Sequence, residues 1–162
     1  MNPSLKLKEI GITLPPLVTP GANYIPAVRT GNLLFSAGQT PKRPDGSLVF
    51  TGKLGSGVDE ATGYEAVKLC TVNLLSLLNQ FAGGLDNVAR IVKVVVFINA
   101  SPDFTQHAAV ANGATDLIVA IFGSENCPAR SAVGMGSLPG DAACEVEIIA
   151  EIKDASIPPL HE

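Results

Sequence analysis

The sequence predicts an α+β fold in which one mixed β-sheet carries two helices on a single face. Strand-like and helix-like segments follow one another in the order β-β-β-α-β-α-β-β, so the helices are separated by strands. Two segments show apolar residues at helical spacing, and the apolar run at 91–99 is typical of a strand covered on both faces. No internal repeat or interdomain linker interrupts the 162 residues, which predicts a single domain.

The first 22 residues precede the predicted core. An asparagine and a proline open this segment and a glycine follows at position 11, a pattern typical of a short helix. Three prolines then predict an extended connector at 14–22. We interpret residues 1–22 as an addition that packs on the outside of a core at 23–153, with 154–162 as a tail.

The core is predicted to begin with a β-hairpin. Segments 24–30 and 33–38 flank Gly31-Asn32, a two-residue turn that favours antiparallel pairing. A third short strand is predicted at 47–50, and a flexible glycine-rich loop follows it. Because this loop lacks the lysine and hydroxyl residue of a phosphate-binding loop, it does not indicate a nucleotide site.

Two helices and two further strands complete the predicted core. Apolar stripes at helical spacing predict helices at 59–81 and 105–122, the second preceded by a Ser-Pro-Asp cap. The final strands are predicted at 130–136 and 144–152. We interpret them as a hairpin, because Pro139-Gly140 between them is typical of a turn.

Arg130 is the anomaly of this last region, since only small or apolar residues follow it as far as Gly136. An arginine that opens an otherwise uncharged strand is costly to bury unless an anion meets it. Its planar guanidinium can hold a carboxylate through two parallel hydrogen bonds. From the residues alone, a ligand carboxylate and a carboxylate of another subunit are equally good partners.

The predicted hairpin places Arg130 opposite Ile149, with Glu145 on the same face and four residues away. That offset corresponds to about 13 Å at roughly 3.3 Å per residue, too far for one small ligand to bridge. We therefore expect the two side chains to converge only across a boundary between subunits.

Composition excludes several classes of protein. Only 16% of the residues are charged and the mean hydropathy is +0.31, yet no apolar run approaches the length of a membrane span. We attribute the apolar excess to a subunit interface. A net charge of −4 and a pI near 5.1 argue against a nucleic-acid partner, which favours a basic surface.

The three cysteines, Cys70, Cys127 and Cys144, are odd in number and have no metal-type spacing. Together with an N-terminus that lacks the apolar core of a signal peptide, they predict a cytoplasmic protein. His107 and His161 do not complete a metal site with them. No dinucleotide fingerprint or nucleophile elbow is present, so we predict neither a metal nor a cofactor.

Three motifs near the C-terminus carry a family resemblance. They are Pro128-Ala-Arg-Ser131, Leu138-Pro-Gly-Asp141 and Glu145-Val-Glu-Ile148. Their residue types and spacing resemble, over about 25 positions, the C-terminal signature of the YjgF/RidA family of enamine and imine deaminases. Weaker similarity extends over 24–152. The resemblance implies a chorismate-mutase-like fold, a barrel-like homotrimer and hydrolysis of small 2-imino or enamine acids between subunits, without a cofactor.

The resemblance also implies roles for individual residues. Arg130 would hold the substrate carboxylate, and Glu145 would position the attacking water. The other matched positions, expected to border or contact the ligand, are Tyr24, Gly38, Asn112 and Ala132.

Ordinary structural roles remain open for several of these residues. A lone tyrosine at the start of a strand, such as Tyr24, is more often an ordinary packing residue. Gly38 is equally typical of a turn, and for Asn112 the sequence favours an ordinary position on a helix surface. We interpret Glu147 as a solvated residue of an edge strand.

Two departures from the family pattern bear on activity. Ala37 and Ala132 stand where many members have serine and cysteine, so the resemblance supports carboxylate binding more strongly than deamination. The alternative function is a non-catalytic regulatory trimer that binds a small carboxylate. An endoribonuclease is a third, which the acidic charge disfavours.

Overall fold

The structure is a computed structural model and describes residues 2–17 and 23–153. The predicted tail and positions 18–22 of the predicted connector lie outside these residues. The helices and strands are α1 Pro3–Glu9, β1 Ala27–Thr30, β2 Leu33–Ser36, β3 Lys53–Leu54, β4 Gly57–Val58, α2 Glu60–Phe81, β5 Val88–Asn99, α3 His107–Phe122, β6 Ala129–Met135 and β7 Cys144–Ile152.

Five strands form one mixed sheet in the order β1-β2-β7-β5-β6, and β3 and β4 form a separate short pair. The pairs β1/β2, β2/β7 and β5/β7 are antiparallel, whereas β5 and β6 are parallel and are connected through α3. The predicted α+β class with a mixed sheet is confirmed.

Helices α2 and α3 pack against each other and against the same face of this sheet. Val94, Val96 and Ile98 of β5 are fully buried beneath them. The alternate residues Val95 and Phe97 are only half-buried, because they point to the opposite face, which we call the open face. The prediction of two helices on one face is confirmed, but the expectation that β5 is covered on both faces is wrong within one chain.

The two helices approach each other closely at Gly113 of α3. A Cβ atom at this position would lie 3.1 Å from the carbonyl carbon of Tyr64 and 3.2 Å from the amide nitrogen of Lys68. Since both are backbone atoms of α2, only glycine allows this approach without displacing a helix. The contact fixes α3 over the edge of the sheet that carries β6.

The predicted hairpin between the last two strands is wrong. β5 lies between β6 and β7 and pairs with both. The turn at Pro139–Asp141 is present, but it belongs to a connection that passes the end of β5. Alternating burial identifies a strand and its two faces, but it contains no information about which strand is the neighbour.

Three smaller corrections concern the loops and the helix ends. Segment 47–50 is not a strand, since only Leu48 within it forms an isolated bridge, to Lys42. The short strands β3 and β4 instead lie in the glycine-rich loop. Helix α3 begins at His107 after Gln106, which makes no side-chain capping bond, so the predicted Ser-Pro-Asp cap is also wrong.

Helix α1 confirms the predicted N-terminal helix. The side chain of Asn2 accepts a hydrogen bond from the Leu5 amide and caps it. The helix packs against α3, and its Leu7 is only 5% exposed within the main hydrophobic cluster. Among the described helices, none is long and apolar enough to cross a bilayer.

Candidate functional site

Arg130 is held by two side chains of α3. Its Nη1 donates hydrogen bonds to Asn112 Oδ1 at 2.8 Å and to Thr115 Oγ1 at 3.1 Å. Both acceptors are neutral, and none of the ion pairs within 2–17 and 23–153 includes Arg130. We call these three residues the arginine cluster. Its positive charge is oriented but not neutralised, which leaves it available to an anion.

Local structure explains why the cluster forms. Arg130 pairs with Val94, which is buried beneath the helices, so its side chain points to the helix-covered face. Asn112 and Thr115 are three residues apart on α3 and therefore lie on the same side of that helix. The parallel connection from β5 through α3 to β6 brings this side over the start of β6.

Ala132 lies two residues beyond Arg130 and points to the same face. It pairs with Val96 and packs half-buried against the hydrophobic core. β6 is the edge strand of the sheet, so one side of its backbone is unpaired among the described residues. Any contact that position 132 makes with a ligand must therefore come from the backbone or from a methyl group.

Glu145 lies on the open face and is half-buried. A Cβ atom at Gly38 would stand 2.7 Å from its Cδ and 2.9 Å from its Cγ. The glutamate side chain thus occupies the space that any other residue at position 38 would need. Two backbone hydrogen bonds between Gln39 and Val146, of 2.8 and 3.0 Å, hold the two segments together.

The electrostatic surroundings of Glu145 favour its protonated form. Burial raises the pKa of this carboxyl, the nearby Glu147 carboxylate raises it further, and Lys42 opposes both effects. A carboxyl with a raised pKa exchanges a proton near neutral pH more readily than an ordinary one. Glu147 is half-buried on β7, which lies between β2 and β5, so the expectation that it belongs to an edge strand is wrong. We call Gly38, Lys42, Glu145 and Glu147 the glutamate cluster.

Cys144 directly precedes Glu145 but points the other way, into the core. Burial raises the pKa of its thiol to about 12, so the thiol stays protonated and is not a competent nucleophile. The part of the chain that the structure describes contains no group of three metal-ligating side chains.

Tyr24 lies three residues before β1 and its side chain is 50% exposed. Its position places it at the β1 edge of the sheet, whereas Arg130 lies on β6 at the other edge. Four strand spacings separate these edges, or about 19 Å. Tyr24 and Arg130 of one chain cannot contact the same small molecule.

The arginine and glutamate clusters are also separate within one chain. Arg130 aligns with Ile148 through β5, and Glu145 lies three residues from Ile148 along β7. The offset is about 10 Å along the strands and about 10 Å across two strands. Because it is an odd number of residues, the two side chains point to opposite faces, and the prediction that they share a face is wrong.

The sequence-predicted residues therefore fall into two groups. Asn112 joins Arg130, although sequence alone favoured a surface role for it, and Gly38 joins Glu145. Thr115 and Lys42 were missed. The spacing of Thr115 from Asn112 could have indicated the first, whereas no local signal links Lys42 to Glu145.

Comparison with known proteins identifies the family of the chain. The family model described as Endoribonuclease L-PSP matches residues 17–152, most of the chain. The chain is similar to protein TCP17 of Trypanosoma cruzi, with 41% identity over 149 residues, 91% of this chain and 92% of that protein.

Solved structures show a similar fold, and one of them is described as a Rid-family protein. A protein of unknown function from Agrobacterium tumefaciens is 39% identical, with a TM-score of 0.84 over 93% of this chain and 92% of that one. A Rid-family protein from Yersinia pestis is 28% identical, with a TM-score of 0.62 over 86% of this chain and 95% of its own. The chain belongs to the YjgF/RidA family.

Proposed function

We propose that the protein hydrolyses small 2-imino and enamine acids to 2-oxo acids and ammonia, without a cofactor. The observation that carries this proposal is the arginine cluster. Arg130 is oriented by two neutral oxygens and has no carboxylate partner among the described residues. A substrate carboxylate would supply the missing negative charge and align the imine carbon for attack.

Glu145 supplies the proton chemistry in this proposal. Its ionised carboxylate takes a proton from a water molecule while the water oxygen bonds to the imine carbon. The same carboxyl then returns that proton to the nitrogen, which gives a carbinolamine with one hydroxyl and one amino group. It next takes the hydroxyl proton and passes it to the amino nitrogen, so that the carbon–nitrogen bond breaks, the carbonyl forms and ammonia leaves. One imine and one water yield one 2-oxo acid and one ammonia.

A complete site requires more than one copy of the chain. Arg130 lies at the β6 edge and on the helix-covered face, while Glu145 lies on the open face and Tyr24 at the β1 edge. We propose that three subunits form a ring in which the arginine cluster of one subunit meets the glutamate cluster and Tyr24 of the next. Tyr24 would then shield the bound substrate from solvent.

The open face supports such an assembly. Val28, Phe35 and Val133 point to it and are 51%, 39% and 41% exposed. Val28 of β1 is paired with Phe35 of β2, and Val133 of β6 is paired with Phe97 of β5. Apolar side chains spread over several strands are typical of a surface that a partner covers.

We also propose a cytoplasmic location. Cys70, Cys127 and Cys144 are all free, and Cys127 is exposed. An exposed thiol without a partner suits a reducing compartment.

The direct test is release of ammonia from freshly generated 2-iminobutyrate, together with the mass of the assembly in solution. We expect turnover by the wild-type protein and a mass of three chains. A monomer that turns the substrate over would contradict the shared site, and a trimer without turnover would contradict the deaminase activity.

Ala37 and Ala132 favour one alternative, a regulatory trimer that binds a small carboxylate without turning it over. Neither side chain can donate a hydrogen bond to substrate or water. Calorimetry with 2-oxobutyrate separates the two functions: binding without ammonia release would identify the regulator. Loss of both binding and turnover would exclude both.

The family description also names an endoribonuclease. Glu145, Glu147 and Glu151 all point to the open face, and the chain carries a net charge of −4. These charges repel a phosphate backbone. We therefore favour a small carboxylate substrate over RNA.

Gly38→Ala tests the role of the glycine in the glutamate cluster. The added methyl group would overlap the Glu145 side chain, which must rotate away from its place. We expect kcat for 2-iminobutyrate to fall about tenfold, because small displacements of a catalytic group are costly. The melting temperature should change little, since the displaced atoms belong to a flexible side chain.

Gly136→Ala is the matched control, because a Cβ atom at Gly136 meets nothing within 4 Å. It should retain wild-type kcat. Equal activity of the two variants and the wild type would contradict the proposed placement of Glu145.

A further inference from the structure

We infer that Thr115 is a positioning residue for Arg130, an inference that rests on the proposed function. Arg130 donates to two oxygens from one nitrogen, Nη1. A guanidinium held by one acceptor can swing about that hydrogen bond, whereas two acceptors on the same nitrogen fix its plane. Thr115 supplies the second acceptor.

The choice of nitrogen determines which donors remain for a ligand. With both Nη1 hydrogens occupied by the α3 side chains, the edge formed by Nε and Nη2 stays free of described acceptors. This is the edge whose two parallel N–H groups match a carboxylate. Thr115 and Asn112 therefore turn that edge of Arg130 outward and leave it ready for the substrate.

The neutrality of Thr115 matters as much as its position. The next residue, Asp116, is acidic, but its Oδ2 accepts a hydrogen bond from the Tyr64 hydroxyl of α2 at 3.1 Å. It forms no ion pair with Arg130. A carboxylate at position 115 would instead neutralise the guanidinium from within the chain and compete with the substrate.

Three variants test the inference. Thr115→Val keeps the shape but removes the hydroxyl, and we expect KM for 2-iminobutyrate to rise about tenfold with kcat changed less than about twofold. Thr115→Ser keeps the hydroxyl and should restore a KM near the wild-type value. Thr115→Asp should raise KM further than valine does, because it supplies a competing carboxylate.

Two controls separate a positioning role from a structural one. Melting temperatures of the valine and serine variants should match, since a role in stability alone would move the melting temperature and not KM. Thr105→Val, at an exposed threonine just before α3, should leave KM unchanged.

The possible failures are distinguishable. If the wild-type protein neither releases ammonia nor binds 2-oxobutyrate in calorimetry, the proposed function fails and the inference with it. If the wild type is active and Thr115→Val has the same KM, only the inference is overturned. The inference is also overturned if KM of the Thr115→Ser variant is as high as KM of the Thr115→Val variant.

Discussion

Replacement of Arg130 by alanine is expected to lower kcat/KM for 2-iminobutyrate by about 30-fold to a few thousandfold. Removing one member of a hydrogen-bonded charge pair costs roughly 2–5 kcal/mol, and about 1.4 kcal/mol corresponds to each factor of ten. Arg130→Lys should fall between alanine and the wild type, because an ammonium keeps the charge but not the planar pair of donors. Steady-state ammonia release measures all three proteins.

Arg90→Ala is the matched control for this experiment. Arg90 is an exposed arginine on β5 that is already paired with Glu151, at 2.7 Å from Nε to Oε2. An exposed pair of this kind contributes little to stability, and activity should stay within about twofold of the wild type. Comparable losses in both variants would indicate a general effect of charge and would remove the support for a carboxylate at Arg130.

The sequence indicated Arg130 because burying a charge in an otherwise apolar strand costs free energy unless an anion pairs with it. The same reasoning could not place its partners. Asn112 and Thr115 reach it through the parallel crossing from β5 to β6, and parallel pairing leaves no turn between the strands to reveal it. The turn motif at Pro139-Gly140 led us to predict a hairpin of the last two strands. In the structure, β6 and β7 each pair with β5 instead.

The long elements were predictable for a related reason. In α2, α3 and β5, many residues follow the apolar pattern of a single type of secondary structure. The predicted bounds of these three elements therefore differ from the observed ones by only a few residues at the ends. The short strands β3 and β4 each consist of two residues and follow from contacts made elsewhere in the fold. Segment 47–50 has strand-like residues but no partner strand, and side-chain preference alone does not create one.

The open face shows what a single chain leaves undetermined. The nearly unbroken apolar run in β5 predicted burial on both faces, yet helices cover only one of them. The run is consistent with a protein whose second face is covered only after assembly. The error about β5 is therefore consistent with the proposed assembly, which would bring Arg130 of one chain near Glu145 of the next.

Replacement of Glu145 by glutamine is expected to lower kcat about 100-fold to 10,000-fold with little change in KM, the range typical of losing a general acid–base group. Glutamine keeps the shape of the side chain but cannot accept the proton of the attacking water. Glu151→Gln is the control, since Glu151 lies on the same strand and face but is paired with Arg90. Near-normal turnover by Glu145→Gln would exclude the proposed role of this carboxylate.

The pH dependence of wild-type activity should also report the ionisation of Glu145. Glu145 must be ionised to accept a proton, and its pKa is raised above the ordinary 4.5, so activity should fall with acidification at a higher pH than for an exposed glutamate. Glu147→Gln removes a group that raises this pKa and should move the acid limb to lower pH. Lys42→Met removes a group that lowers it and should move the limb the other way. Shifts in the same direction would contradict the assignment.

Stability gives an independent measurement on the same residue. Because folding raises the pKa of Glu145, its ionised form destabilises the folded state, and that cost is fully present above the folded-state pKa and disappears as the pH falls through it. At neutral pH, Glu145→Gln should therefore melt at a temperature equal to or above that of the wild type, and the difference should shrink on acidification. If the Glu145→Gln variant is inactive and less stable than the wild type at every pH, Glu145 stabilises the folded state and its catalytic role is not supported. A variant that is inactive and more stable at neutral pH would show that the chain keeps a destabilising, half-buried carboxylate for its chemistry.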